Sequence, residues 1–136
     1  DDRGQAEFVD VFEMAFEIDE LAMVRASPEW LRRILDMLID NASYAVKGCE
    51  IKRINTFVSI QNEGVEILVS DTGTGIPDHL RSILFKRPIN KKNNEKGSGI
   101  GLFLANSIVQ VYEGRLSIHS TGPDGTMIAL WLPLLK

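Results

Sequence analysis

Apolar positions along this chain fall into blocks whose spacing switches between helical and alternating. Phe8, Val9, Phe12, Ala15 and Phe16 recur at helical spacing within residues 5–17, with Asp10, Glu13 and Glu17 mostly opposite. The short apolar piece from Leu21 to Val24 reads as a strand. Ser27-Pro28 has the form of an N-cap followed by proline at the first helical position. The helix it opens is predicted to run to about Val46, with Leu31, Ile34, Leu35, Leu38, Ala42 and Ala45 on one stripe. Beyond it, Ile54–Gln61 and Val65–Ser70 alternate with period two around Asn62-Glu63-Gly64, a hairpin signal. Residues 71–98 are turn-rich apart from a short helix predicted at Asp78–Leu84. A helix from about Ser98 to Tyr112 is expected to close with Gly114 at C′. Two strands, Arg115–Ser120 and Thr126–Leu132, then flank Gly122-Pro123-Asp124-Gly125.

This order of elements lacks the strict strand–helix alternation of a doubly wound sheet. It predicts an α+β fold, a two-layer sandwich in which a mixed, largely antiparallel sheet of about five strands is covered on one face by about three helices. The 136 residues suit a single domain. Residues 1–20 read as a linker-proximal helix, either native to the fold or the tail of a linker. Because residue 1 is Asp rather than Met, the chain reads as a domain of something longer.

Charge and composition narrow the function classes. A net charge of −4 argues against non-specific nucleic-acid binding, which needs a basic face. Cys49 is the single cysteine, so neither an internal disulfide nor a cysteine metal cluster is expected. No apolar run approaches the roughly 18–20 residues of a membrane span, and no secretory signal opens the chain.

The candidate chemistry begins with KGSGIGLFLA, residues 96–105. Neither the P-loop spacing nor G-x-G-x-x-G fits, because Leu102 stands where the third glycine would. What remains is Gly97, Gly99 and Gly101 leading into a helix. Glycines let backbone N–H groups approach a phosphate, and a helix start adds oriented donors, although a plain flexible loop has the same composition. In Asp71-Thr72-Gly73-Thr74-Gly75, period-two alternation puts Asp71 on one face with Val65, Ile67 and Val69. A carboxylate ending an apolar face needs donors. An exocyclic amine of a base is one, and the N–H groups of the following turn are another. Asn41 rides on or beside the apolar stripe of its helix, where its carbonyl oxygen suits either a Mg²⁺–phosphate unit or nearby backbone.

Together these ordered elements resemble the catalytic and ATP-binding domain of sensor histidine kinases, within the superfamily that includes gyrase, Hsp90 and MutL. The resemblance covers roughly residues 25–135. Asp40-Asn41-Ala42 is similar to the N box, Asp71 to Pro77 to the first glycine box, Leu84-Phe85 with Pro88 to the F box, Gly97 to Leu102 to the second glycine box, and Gly125-Thr126 to the Gly-Thr element. It implies the Bergerat-type fold, with ATP and Mg²⁺ as cofactors. Asp71 would then bind the adenine amino group, with Gly73, Gly75 and Ile76 lining the base pocket and Thr126 approaching it. Asn41 would hold Mg²⁺ against the phosphates, and Gly97, Ser98, Gly99, Ile100, Gly101 and Leu102 would form the phosphate cradle. Residues 87–96 would be the lid, with Lys91 or Lys92 reaching a phosphate.

The implied activity is transfer of the γ-phosphate to a histidine on a separate dimerisation domain, in a cytoplasmic two-component system with a response regulator and a parent kinase that is free or membrane-anchored. His79 and His119 both read as surface residues, so the accepting histidine is expected elsewhere in the parent. Met37 stands one turn before Asn41, where related ATPases carry a Glu base and many kinases an Asn. Tyr44-Ala45 replaces a common Lys-Tyr pair. A non-catalytic nucleotide sensor and an anti-sigma-type serine kinase are alternatives on the same fold.

Overall fold

The computed structural model describes residues 24, 26–87 and 101–134. Helix α1 (Pro28–Ala45) starts as its sequence dictates: Ser27 Oγ accepts the Trp30 amide at 3.3 Å, and Pro28 occupies the first turn. Its buried stripe is Leu31, Ile34, Leu35, Leu38, Ile39 and Ala42. Strands β1 (Ile54–Gln61) and β2 (Gly64–Asp71) form an antiparallel hairpin. Asn62 and Glu63 both take positive φ, 51° and 60°, the left-handed pair that a two-residue hairpin loop requires. A single helical turn, α2 (Asp78–Arg81), follows, and then α3 (Gly101–Val111). Strands β3 (Arg115–Gly122) and β4 (Gly125–Pro133) close the chain's second antiparallel hairpin.

The α+β sandwich expected from the sequence is what the chain forms. Among the described residues the sheet has four strands in the order β1-β2-β4-β3, every pairing antiparallel, rather than about five in a mixed sheet. The predicted Leu21–Val24 strand is represented by Val24, which makes an isolated antiparallel bridge to Leu134. Residues 21–23 and the expected helix over 5–17 lie outside the described residues, as do Ser98 to Ile100 at the expected start of α3.

One face of the sheet carries the core in successive cross-strand rows. Val58, Ile67, Leu130 and Leu116 form one row, and Thr56, Val69, Ile128 and Ile118 the next. Helices α1 and α3 pack on this face, with Ile34, Leu38, Ala105 and Val109 almost wholly buried. The register continues on β1, β2 and β4, and a one-residue shift on β3 between Ile118 and Ser120 brings Thr121 into a last row, Ile54, Asp71, Thr126 and Thr121, where the apolar side chains give way to polar ones.

The end of α3 differs from the sequence-based expectation. Gly114 is not the left-handed C′ residue; Glu113 is, at φ 60°. The Glu113 amide donates to Gln110 O and the Gly114 amide to Val109 O, which closes the helix one residue early. Gly114 is needed for a different reason: a Cβ there would fall 2.5 Å from Trp131 O and 2.8 Å from Leu132 Cδ2. Close packing onto β4 takes the glycine, and the turn falls to its neighbour.

Candidate functional site

The polar end of the sheet is built around Asp71, which is only 5% exposed although it is an acid. Two backbone amides satisfy the same oxygen: Gly73 N donates to Asp71 Oδ1 at 2.8 Å and Thr126 N donates to it at 3.3 Å. The first bond is the local turn contact open to any Asp in such a loop. The second comes from the adjacent strand. No buried side-chain oxygen among the described residues lacks a partner, so Oδ2, which makes neither bond, keeps access to the outside. Burial pushes the carboxyl above the usual carboxylate range, while the Gly73 and Thr126 amides pull it down.

The loop after β2 is pinned on three sides. Thr72 Oγ1 donates to Ile51 O at 2.7 Å and accepts the Arg53 amide at 2.9 Å. Gly73 is pressed on the end of α1: a Cβ would lie 2.7 Å from Ala45 O, one turn beyond Asn41. Gly75 takes φ 90°, and a Cβ there would approach Gly122 O to 2.3 Å, so the loop also lies flat on the β3–β4 turn. Two hydroxyls then join these parts. Ile76 N donates to Thr121 Oγ1 at 2.9 Å, and Thr121 Oγ1 lies 2.8 Å from Thr126 Oγ1.

Sequence reasoning missed Thr121 and Thr72. A usable signal for the former was present: a two-residue turn between Gly122 and Gly125 sets Thr121 directly opposite Thr126. Nothing in the local pattern around Thr72 announces contacts 19 and 21 residues away.

Of the residues singled out in the sequence, Asp71, Gly73, Gly75, Ile76 and Thr126 are brought together at this end of the sheet, and Asn41 lies on α1 one turn before Ala45, whose carbonyl Gly73 abuts. Asn41 is half-buried and its amide makes no hydrogen bond among the described residues. Met37, one turn back, packs its thioether against the core. Leu102, at the start of α3, packs partly buried against the core as well, and Asn106 Nδ2 donates to Phe85 O at 3.2 Å, tying α3 to the segment after α2. Gly101 opens α3, and an added Cβ there meets nothing within 4 Å. Lys91, Lys92, Gly97, Ser98, Gly99 and Ile100 lie outside the described residues. His79 and His119 are both exposed.

The polar end of the sheet thus gathers a buried acid whose Oδ1 is held by two amides, a pair of threonine hydroxyls, and a loop with glycines at residues 73 and 75. The chain belongs to the histidine kinase-, DNA gyrase B- and HSP90-like ATPase family, whose profile matches residues 26–136. Similar proteins are sensor kinases. The hybrid signal transduction histidine kinase D of Dictyostelium discoideum is 33% identical over 85% of the chain, which spans 8% of that protein. The adaptive-response sensory kinase SasA of Synechococcus elongatus is 32% identical over 86% of the chain and 30% of its own length. The sensor histidine kinase CitA of Klebsiella pneumoniae is 30% identical over 93% of the chain and 23% of its own length. The chain therefore spans less than a third of each of these relatives.

Among solved structures, the mycobacterial sensor histidine kinase MprB aligns with a TM-score of 0.70 at 23% identity, covering 93% of this chain and 95% of that one. The catalytic domain of histidine kinase ThkA aligns with a TM-score of 0.70 at 19% identity, covering 96% and 92%. Both likenesses concern the fold. Taken with the family match and the relatives, they define a catalytic domain of the sensor histidine kinase type. Among the described residues no helix is long and apolar enough to cross a membrane.

Proposed function

We propose that this domain binds Mg²⁺-ATP and delivers its γ-phosphate to a histidine on a separate dimerisation domain of a cytoplasm-facing parent kinase, which then passes it to a response regulator. The observation that carries this reading is the division of labour at Asp71: Oδ1 is held by two backbone amides while Oδ2 stays open beside a loop with no side chains at residues 73 and 75. Such an oxygen suits the exocyclic amine of adenine, and the two glycines let the chain lie against a flat ring.

Asn41, two turns along α1 from the buried Ile34, is half-buried on that helix and would face the phosphate end of the nucleotide. Its carbonyl oxygen is the kind of single protein ligand that Mg²⁺ accepts when phosphates and water fill its other positions. Bound there, the ion would neutralise phosphate charge. The glycines from Gly97 to Gly101, with Lys91 and Lys92 from the preceding lid, would hold the phosphates by backbone donors and charge. Met37 cannot accept a proton, so the domain holds no base one turn before Asn41 for activating water. A histidine acceptor needs none, since the imidazole brings its own lone pair, and the domain's task is then positioning.

The test is a titration of the purified chain with a fluorescent ATP analogue, with and without Mg²⁺ and with competing GTP. It is followed by [γ-³²P]ATP and a histidine-bearing dimerisation domain supplied separately. Saturable, Mg²⁺-dependent binding and acid-labile label on the added domain are expected. Binding without transfer would leave a nucleotide sensor, and absence of binding would remove the proposal altogether.

A further inference from the structure

Thr121 lies outside every motif picked out in the sequence, yet it is the hub of the hydrogen bonds at the polar end of the sheet. Its hydroxyl oxygen accepts the Ile76 amide at 2.9 Å and sits 2.8 Å from the Thr126 hydroxyl. The cross-strand row sets Asp71, Thr126 and Thr121 side by side on β2, β4 and β3. The geometry is held from outside as well, because Gly75 lies against the Gly122 carbonyl and Gly125 against the Asp71 carbonyl, each too close to admit a Cβ.

A hydroxyl has one proton and two lone pairs. One lone pair of Thr121 is taken by Ile76 N–H, and within the Thr121–Thr126 pair either hydroxyl can donate to the other; base recognition would use the arrangement in which Thr121 donates. Thr126 then accepts from Thr121, and its own proton is turned away from that neighbour. Its backbone amide is already spent on Asp71 Oδ1. The cleft is therefore offered an acceptor, Asp71 Oδ2, next to a donor, the Thr126 hydroxyl. Adenine presents the complement: an amino group flanked by unprotonated ring nitrogens. Guanine carries a carbonyl at that position and a protonated ring nitrogen beside it.

We infer that Thr121 is a positioning residue for base recognition: anchored by the Ile76 amide, it donates to Thr126 and so makes the Thr126 hydroxyl a donor to a ring nitrogen adjoining the base's amino group. This rests on the nucleotide-binding reading above.

Calorimetry of the full chain with Mg²⁺ and ATP, 1-deaza-ATP and 7-deaza-ATP tests it, using wild type, Thr121→Val and Thr121→Ser. Wild type is expected to bind one of the deaza analogues about fivefold or more weakly than ATP, the loss of one neutral hydrogen bond. Thr121→Val should bind ATP and that analogue equally, while Thr121→Ser should restore the wild-type difference. A thermal melt of each variant accompanies the titrations. If Thr121→Val weakens ATP and both analogues by one common factor, Thr121 merely braces the fold and the inference falls. If wild type binds ATP and both analogues alike, no ring nitrogen receives a bond, and the inference falls while the nucleotide reading stands. If wild type binds none of the three, both fall.

Discussion

Asp71 and Thr126 are register partners across β2 and β4, and the Thr126 amide donates to Asp71 Oδ1 at 3.3 Å, so an acid and a hydroxyl share the last cross-strand row of the sheet. Every other position on the buried face of β2 is apolar, with Val65, Ile67 and Val69 at most 3% exposed. The fold thus tolerates a charge at the rim of its core because backbone amides meet it there, and this bears directly on what substitutions at residue 71 should do.

Asp71→Asn is expected to separate binding from stability. The amide oxygen of Asn can still accept from Gly73 and Thr126, but the free oxygen is replaced by a donor that repels an amine. Nucleotide affinity should fall about tenfold or more, the loss of a hydrogen bond to a charged group. The melting temperature should stay level or rise, since burial disfavours the carboxylate. The pH dependence follows from the same shift. Below about pH 4 both folded and unfolded Asp71 are protonated, and the group costs nothing. As pH rises from the ordinary carboxylate value through the raised folded one, the wild type alone must ionise a buried group. The stability advantage of Asp71→Asn should therefore open across that window and close again on acidification. Thermal melts of both proteins over an acid pH series check the sign.

Asn41→Ala should lower the Mg²⁺ dependence of ATP binding. Its amide is half-buried on α1 and unbonded among the described residues, so removing it leaves no orphaned partner in the protein and the melting temperature should change little. Titrations of ATP at several Mg²⁺ concentrations read the effect. A Mg²⁺ response identical to wild type would take Asn41 out of the metal site.

The two glycine segments should respond in opposite ways to alanine. At Gly75 the backbone is at φ 90° and the new methyl would meet Gly122 O at 2.3 Å, so Gly75→Ala should cost about 1–3 kcal/mol and shift the loop from the hairpin turn. At Gly101, which begins α3, a Cβ meets nothing within 4 Å, and Gly101→Ala should leave stability unchanged or gain up to about 1 kcal/mol of helix propensity. If that glycine lies against phosphate, its alanine variant will fold well and bind ATP poorly. Denaturant melts beside nucleotide titrations distinguish the two.

Glu63→Gly should stabilise the β1–β2 hairpin. Glu63 occupies φ 60°, in a loop where Asn-Gly is the preferred pair, and the bond from Leu134 N to its carbonyl does not depend on its side chain. Relief of the left-handed strain offsets the added freedom of the unfolded chain, giving a gain of up to about 1 kcal/mol. Urea denaturation reads the change as a higher midpoint with an unaltered slope.

What could be read without coordinates was the part written in local patterns. Ser27-Pro28 announced α1, alternation announced the first hairpin, the Gly-Pro-Asp-Gly stretch separated the last two strands, and the end of an apolar face marked Asp71 as a buried acid. What could not be read depended on which strand lies beside which. The insertion of β4 between β2 and β3 is what sets Thr126 next to Asp71, and only that order gives Thr121 a role. Gly114 shows the same limit: its sequence position matched a helix C′, but contact with β4 determined its use and left Glu113 in the left-handed turn. Met37 invited a chemical reading by its spacing from Asn41, whereas its surroundings make it a packing residue.

The sheet order has a kinetic corollary. The first hairpin can zip up by itself from neighbouring residues, yet at that stage the acid at its open end has only the Gly73 amide. Its other donor arrives from a strand 55 positions downstream, which must slot between two others before the proposed purine site would be complete. If the domain binds nucleotide there, a growing or partly unravelled chain would be blind to it until the final strand docks, and occupancy would report that the whole sheet has closed.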